Sequence, residues 1–139
     1  MTIILLTKII HLISIIFFIG VVSFRTFIMP VLKKQYDTQT YKNIDSITGM
    51  KARSIIKINN IFLILSGLYL FTLHLETTNI LLHIKVTIGL LLSLTFYFVP
   101  VIMQKMKTVK WFSSFFHYLF FSLMMIVIIL SQTMFYHTN

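Results

Sequence analysis

Five histidines and no cysteine bound the coordination chemistry of this 139-residue chain. Without thiolates there can be no disulfide, iron–sulfur cluster or covalently attached haem, so a metal would have to be held by His, Lys, Met, Tyr or carboxylate. The acids are Asp37, Asp45 and Glu76, all in connecting segments. No Ser-His-Asp set, Gly-rich phosphate loop or carboxylate pair is present, so hydrolytic chemistry is not expected.

His11, Arg25, His74, His83, Lys85 and His117 stand in or beside long apolar runs. An ionisable group costs free energy in such surroundings and is therefore a candidate for function. Two ring or amine nitrogens at equal depth on facing helices can supply the two axial ligands of a haem. His is the usual ligand, and a Lys ligand must be neutral, which burial beside a metal favours. His11 with Lys85, or His11 with His83, could supply such a pair. His83 is the alternative to Lys85, because side chains two residues apart on a helix point about 200° apart and only one can face the bundle centre.

The bland readings are that His74, His83, Lys8 and Lys85 mark helix ends, with the lysines snorkelling to headgroups. Arg25 can snorkel likewise, or hold a propionate or phosphate. Of the eight methionines, Met103 with Met106 and the adjacent Met124 and Met125 are the nearest to a soft-ligand path for copper, a weak signal.

The elements that must position these groups are membrane helices. The chain is 58% hydrophobic and 11% charged, with a mean hydropathy of +0.92, against about 45–50% apolar and 25% charged in soluble domains. A membrane span takes about 20 apolar residues. Four runs qualify, at about 9–32, 55–75, 80–103 and 111–135, leaving little for any soluble domain. Helices are the economical way for so few residues to span lipid, so the expected fold is all-α, a single four-helix up-down bundle. The first run is too long for a signal peptide and lacks a small-residue cleavage site, so it is expected to be retained.

Charge sets the expected orientation. Lys33, Lys34, Lys42, Lys51, Arg53 and Lys57 fall in the first connection and Lys105, Lys107 and Lys110 in the third, whereas the second connection and the C-terminal tail carry no Lys or Arg. By the positive-inside rule both basic connections belong in the cytoplasm and both termini on the periplasmic side. The same rule accounts for the net charge of +9 without nucleic acid. The first connection, with Tyr36, Tyr41 and Ile44 among polar residues, allows either an extension of the first helix or a short interfacial helix. Thr77, Thr78 and Asn79 predict a tight turn between the second and third helices.

Helical rise puts the basic groups in layers. At 1.5 Å per residue, His11 lies about 33 Å from Lys33 and Lys85 about 30 Å from Lys105. His74 and His83 come out at about 25 and 33 Å from Lys57 and Lys105, so these four groups share the outer layer. His117 lies only about 10 Å from Lys110, in the inner half, and His137 lies beyond the last span.

TKIIHLISIIFFIGVVSFRTFIMPVL in the first helix and LLHIKVTIGLLLSLTFYFVP in the third resemble the HemJ-type protoporphyrinogen oxidases and the copper-resistance D (CopD) family. The resemblance covers nearly the whole chain. In the HemJ type, a first-span His is paired with a Lys early in the third span, matching His11 and Lys85 here. Gly20, Pro30, Pro100 and SGLYL from Ser66 to Leu70 resemble the CopD pattern. Phe18 stands where a Trp is usual, and His117 lies in the region where HemJ proteins carry an Asn-Glu-x-Pro stretch. The resemblance implies a bacterial inner-membrane redox protein with one haem b per chain, oxidising protoporphyrinogen IX to protoporphyrin IX. Its expected partners are the lipid bilayer, a quinone or other electron acceptor, and further copies of the chain in a homo-oligomer. The alternatives are CopD-like copper transport using His11, His74 or His83 at one face and Met103 or Met106 at the other, and a structural bundle without cofactor.

Overall fold

The computed structural model describes residues 2–74, 80–106, 108–109 and 111–136, with side chains described as far as Thr133. The chain is all-α. Helix α1 (Thr2–Ser23) runs through a π-helical turn (Phe24–Ile28) into α2 (Met29–Gln35), together forming the first long helix. Helices α3 (Thr38–Thr72), α4 (Ile80–Lys105) and α5 (Phe112–Tyr136) complete an up-down bundle. All four long helices have the length and apolarity to cross a membrane, so this is a multi-pass membrane protein.

The π turn has a local cause. Pro30 cannot donate to the carbonyl of Thr26, and its ring crowds that carbonyl. The backbone loosens ahead of it, and the amide of Met29 reaches back to the Phe24 carbonyl. The buried Thr26 hydroxyl donates to the Val22 carbonyl at 2.8 Å.

Of the two options open for the first connection, the structure has a helical extension: α2 carries the first helix to Gln35, and α3 begins at Thr38 and takes up the rest of the segment. Asp37 makes this possible by capping α3. Its Oδ2 accepts the amides of Gln39 at 3.0 Å and Thr40 at 2.9 Å, satisfying donors that a helix start leaves open. The Thr40 hydroxyl, together with these amides, holds the exposed Asp37 carboxyl below its ordinary range. Tyr41, Ile44 and Thr48 then fall at helical spacing, all half-buried, and the Thr48 hydroxyl lies 3.9 Å from Met29 Sδ. At 1.5 Å per residue α3 is about 52 Å long, well beyond a hydrocarbon core of about 30 Å. The second connection (Glu76, Thr77, Thr78, Asn79), Lys107, Lys110 and His137 lie outside the described residues.

Neighbouring helices in space follow sequence order: α1 packs on α3, α3 on α4, α4 on α5, and α5 back on α1. The first and third spanning helices are therefore diagonal, and among the described residues they do not approach closely along their backbones. Phe18, Val22, Ile56, Leu92, Phe120 and Met124 fill the centre. Phe18 bridges the diagonal, its ring 5.8 Å from Phe96 and 6.0 Å from Phe120. Polar residues lie inside: Ser14, Thr26, Asn60, Ser66 and Ser93 are buried, while Ile16, Phe62, Leu91 and Phe98 are exposed. Asn59 Nδ2 donates to the Ser14 carbonyl at 2.9 Å and Asn60 Nδ2 to the Ser93 carbonyl at 2.7 Å. Such bonds and small residues join helices where lipid removes the hydrophobic drive for association.

Candidate functional site

Thr2, the end of α3, the start of α4 and Tyr136 share one end of the bundle, the terminal end. The Tyr36–Asp37 connection, Lys105 and Phe112 share the other, the basic end.

At the terminal end the diagonal helices are held apart over a cavity of about 930 Å³, within the range of about 300–1,000 Å³ usual for ligand pockets. Phe18, Leu92, Ser93 and Met124 line it towards the packed centre, and Leu12, Ile15, Leu63, Ile64, Val86 and Val127 contribute to its apolar walls. His11 and Lys85 both line it, one from each diagonal helix, and so do Lys8, His74, Ser131 and Gln132. No carboxylate lines it among the described residues.

Each of the paired residues is anchored by a serine on an adjacent helix. His11 Nδ1 lies 3.0 Å from Ser66 Oγ. Ser66 is buried and back-bonds within α3, at 2.5 Å to the Phe62 carbonyl and 3.2 Å to the Leu63 carbonyl. A hydroxyl has one proton, which the short contact to the Phe62 carbonyl is placed to receive. When the hydroxyl proton goes to a carbonyl, Ser66 Oγ accepts from His11 Nδ1–H, and in that tautomer Nε2 carries the lone pair. An Nδ1–H held by a fixed acceptor is the usual support for an imidazole that binds metal through Nε2.

Gly67 completes the seat. A Cβ there would lie 3.0 Å from His11 Cε1 and 3.5 Å from Nδ1, closer than the ring tolerates without shifting. Lys85 Nζ donates to Ser131 Oγ at 2.9 Å, from α4 to α5.

The other sequence candidates divide cleanly. His83 is exposed and does not line the cavity; its ring meets Phe71 edge-on at 5.5 Å. Of the adjacent candidates, Lys85 faces the cavity and His83 does not. His74 is exposed in the turn after α3, with Nδ1 2.9 Å from the Leu70 carbonyl.

His117, Met103 and Met106 belong to the basic half, away from the cavity. There Arg25 Nη1 pairs with Asp45 Oδ1 at 2.7 Å, and the half-buried His117 lies within electrostatic reach of both.

Sequence reasoning missed Ser66 and Gly67 as the seat of His11, and Ser131 as the partner of Lys85. The available signals were a Ser-Gly step and a Ser-Gln step, each interrupting an apolar helix.

Comparison of this chain with family models, with curated proteins and with solved structures finds no match to any of them.

Proposed function

We propose that the terminal-end cavity holds haem b, with His11 and Lys85 as axial ligands, and that the protein is a membrane redox protein of the HemJ kind. The observation that carries this reading is that His11 and Lys85 line one cavity from diagonal helices, each within hydrogen-bond distance of a serine on a neighbouring helix; with Nδ1 turned to Ser66, Nε2 is the nitrogen left to serve a metal.

The other residues suit the same group. The walls are largely apolar, as a porphyrin face requires, and Lys8 and His74 offer groups that can pair with propionates. Bound there, haem supplies one-electron transfer. The chain's own contribution is to orient the imidazole through Ser66, to hold the amine through Ser131, and to exclude water with the apolar wall.

By resemblance, the substrate is protoporphyrinogen IX and the electron acceptor a membrane quinone. The positive-inside rule supports an orientation with the basic end in the cytoplasm, and the bacterial inner membrane follows by resemblance.

The test is the visible spectrum of protein purified from haem-replete cells. A Soret band lost in both His11→Ala and Lys85→Ala is expected; protein free of haem would sink the proposal. Rescue of a strain lacking protoporphyrinogen oxidase tests the reaction separately.

Copper transport has one observation in its favour, the presence of His11, His74 and Met124 on the same cavity. Against it, Met103 and Met106 lie beyond the packed centre, and no group of three or more His, Cys, Asp or Glu suited to a metal occurs among the described residues. Copper uptake that needs His11 but not haem would favour that reading.

A further inference from the structure

The basic end carries a second polar cluster that the haem proposal does not use. Gly49 is buried on α3, and two guanidiniums close over it from different helices. Arg25 Nη1 and Arg53 Nη1 each lie 3.5 Å from the position a Gly49 Cβ would occupy. Two like charges converging on one point repel, and a single carboxylate, Asp45, is at hand.

Asp45 is already bonded to Arg25 and is 41% exposed. Arg53 is exposed and has no hydrogen-bond or ion-pair partner among the described residues. The cluster thus keeps an excess positive charge and a set of unused, planar donors, which suit the tetrahedral oxygens of a phosphate. Arg25 sits on the π turn, a helical irregularity that recurs at functional sites.

Depth points to the source of the phosphate. Arg53 lies about 29 Å along α3 from Thr72, by helical rise, close to the full thickness of a hydrocarbon core. Arg25 Nη1 and Arg53 Nη1 meet at the same Gly49 position and so share that level. Both guanidiniums therefore reach the plane where lipid phosphates sit.

We propose that Arg25 and Arg53, closing over Gly49, form a phosphate site that in the membrane holds the headgroup of an anionic lipid.

The experiment uses the full chain in detergent, with bound lipid read by native mass spectrometry after addition of phosphatidylglycerol, phosphatidylcholine or inorganic phosphate. Wild type should retain phosphatidylglycerol in preference to phosphatidylcholine. Arg53→Gln, an exposed change that leaves the packing alone, should bind it at least tenfold more weakly. Lys34→Gln, which removes another exposed cation at the same end, should leave binding unchanged, and Asp45→Asn, which frees Arg25, should strengthen it.

If millimolar inorganic phosphate displaces the lipid and binds alone in an Arg53-dependent way, the same site serves free phosphate; if it does neither, the headgroup is the ligand. Equal binding by wild type and Arg53→Gln would overturn the proposal. So would equal losses in Arg53→Gln and Lys34→Gln, or retention of phosphatidylcholine as well as phosphatidylglycerol.

Discussion

The two halves of the bundle solve different problems with the same four helices. Towards the centre and the basic end, aromatic rings cross between helices: Phe18 meets Phe96 and Phe120, and Phe27 packs edge-on against Phe121 at 5.0 Å. Ile56 is fully buried there, and Asn60 beside it is equally hidden. At the terminal end the helices stand around a cavity, with Gly67 and Gly89 among its lining residues. One half is closed by side chains and the other is open to an occupant. In the open half, polar groups line the space; in the closed half they bind neighbouring backbones.

Core truncation should show the largest difference. Ile56→Ala should cost about 2–5 kcal/mol, the range for deleting a buried aliphatic group that neighbours cannot replace. Ile64→Ala on the cavity wall should cost clearly less, since that side chain already borders empty space. Reversible unfolding in mixed micelles measures both, and equal losses would erase the distinction between the halves.

Asn60→Ala should follow at about 1 kcal/mol, the scale of interhelical polar bonds in membranes. The substitution removes the bond to the Ser93 carbonyl but also Asn60 Oδ1, which has no partner among the described residues. The same unfolding assay detects it, and a loss above about 3 kcal/mol would mean that Oδ1 holds something, such as a buried water.

Gly67→Ala sharpens the comparison inside the open half. Its methyl must displace the His11 ring by a few tenths of an ångström, whereas nothing lies within 4 Å of a Cβ at Gly89. The imidazole nitrogen shifts of His11, followed by NMR, should therefore move in Gly67→Ala and stay in Gly89→Ala. Identical spectra for the two variants would remove Gly67 from the seat.

The smallest effect is expected at Asp37. Its carboxyl is held below the ordinary value of 3.8 by the amides and hydroxyl it caps. The capping contribution is therefore fully present above that value and is lost as pH falls through the lower folded-state value. Asp37→Ala should lower the melting temperature slightly at pH 7 and leave it unchanged once the cap is protonated. A difference that persists in strong acid would rule out the charge-assisted cap.

Much of this architecture was legible in composition. Four apolar runs and a charge-poor second connection sufficed for an up-down bundle, because lipid leaves a hydrophobic segment few alternatives. The form of the first connection stayed open in the sequence because Lys and Arg look like loop residues, whereas in a helix that outruns the bilayer they are simply its solvated part. Equal depth for His11, His74 and Lys85 could be counted from helical rise. Which of His83 and Lys85 faces inward could not, since that depends on how α4 is rotated against its neighbours. The serines escaped notice for a related reason: a hydroxyl in an apolar helix commonly bonds its own backbone, and only tertiary packing brings Ser66 to His11.

The order of neighbours around the bundle bears on how the chain assembles. The most extensive packing joins α1 to α3 and α4 to α5, partners close in sequence, so two helical hairpins can insert and zip up with little loop-closure cost. The cavity is lined from both hairpins and exists only once they have docked. Whatever fills it must bind the docked state in preference to separated hairpins, and by mass action it shifts that equilibrium toward assembly. The occupant would then act as a late folding factor, and a chain made without it would be held together chiefly by the closed half.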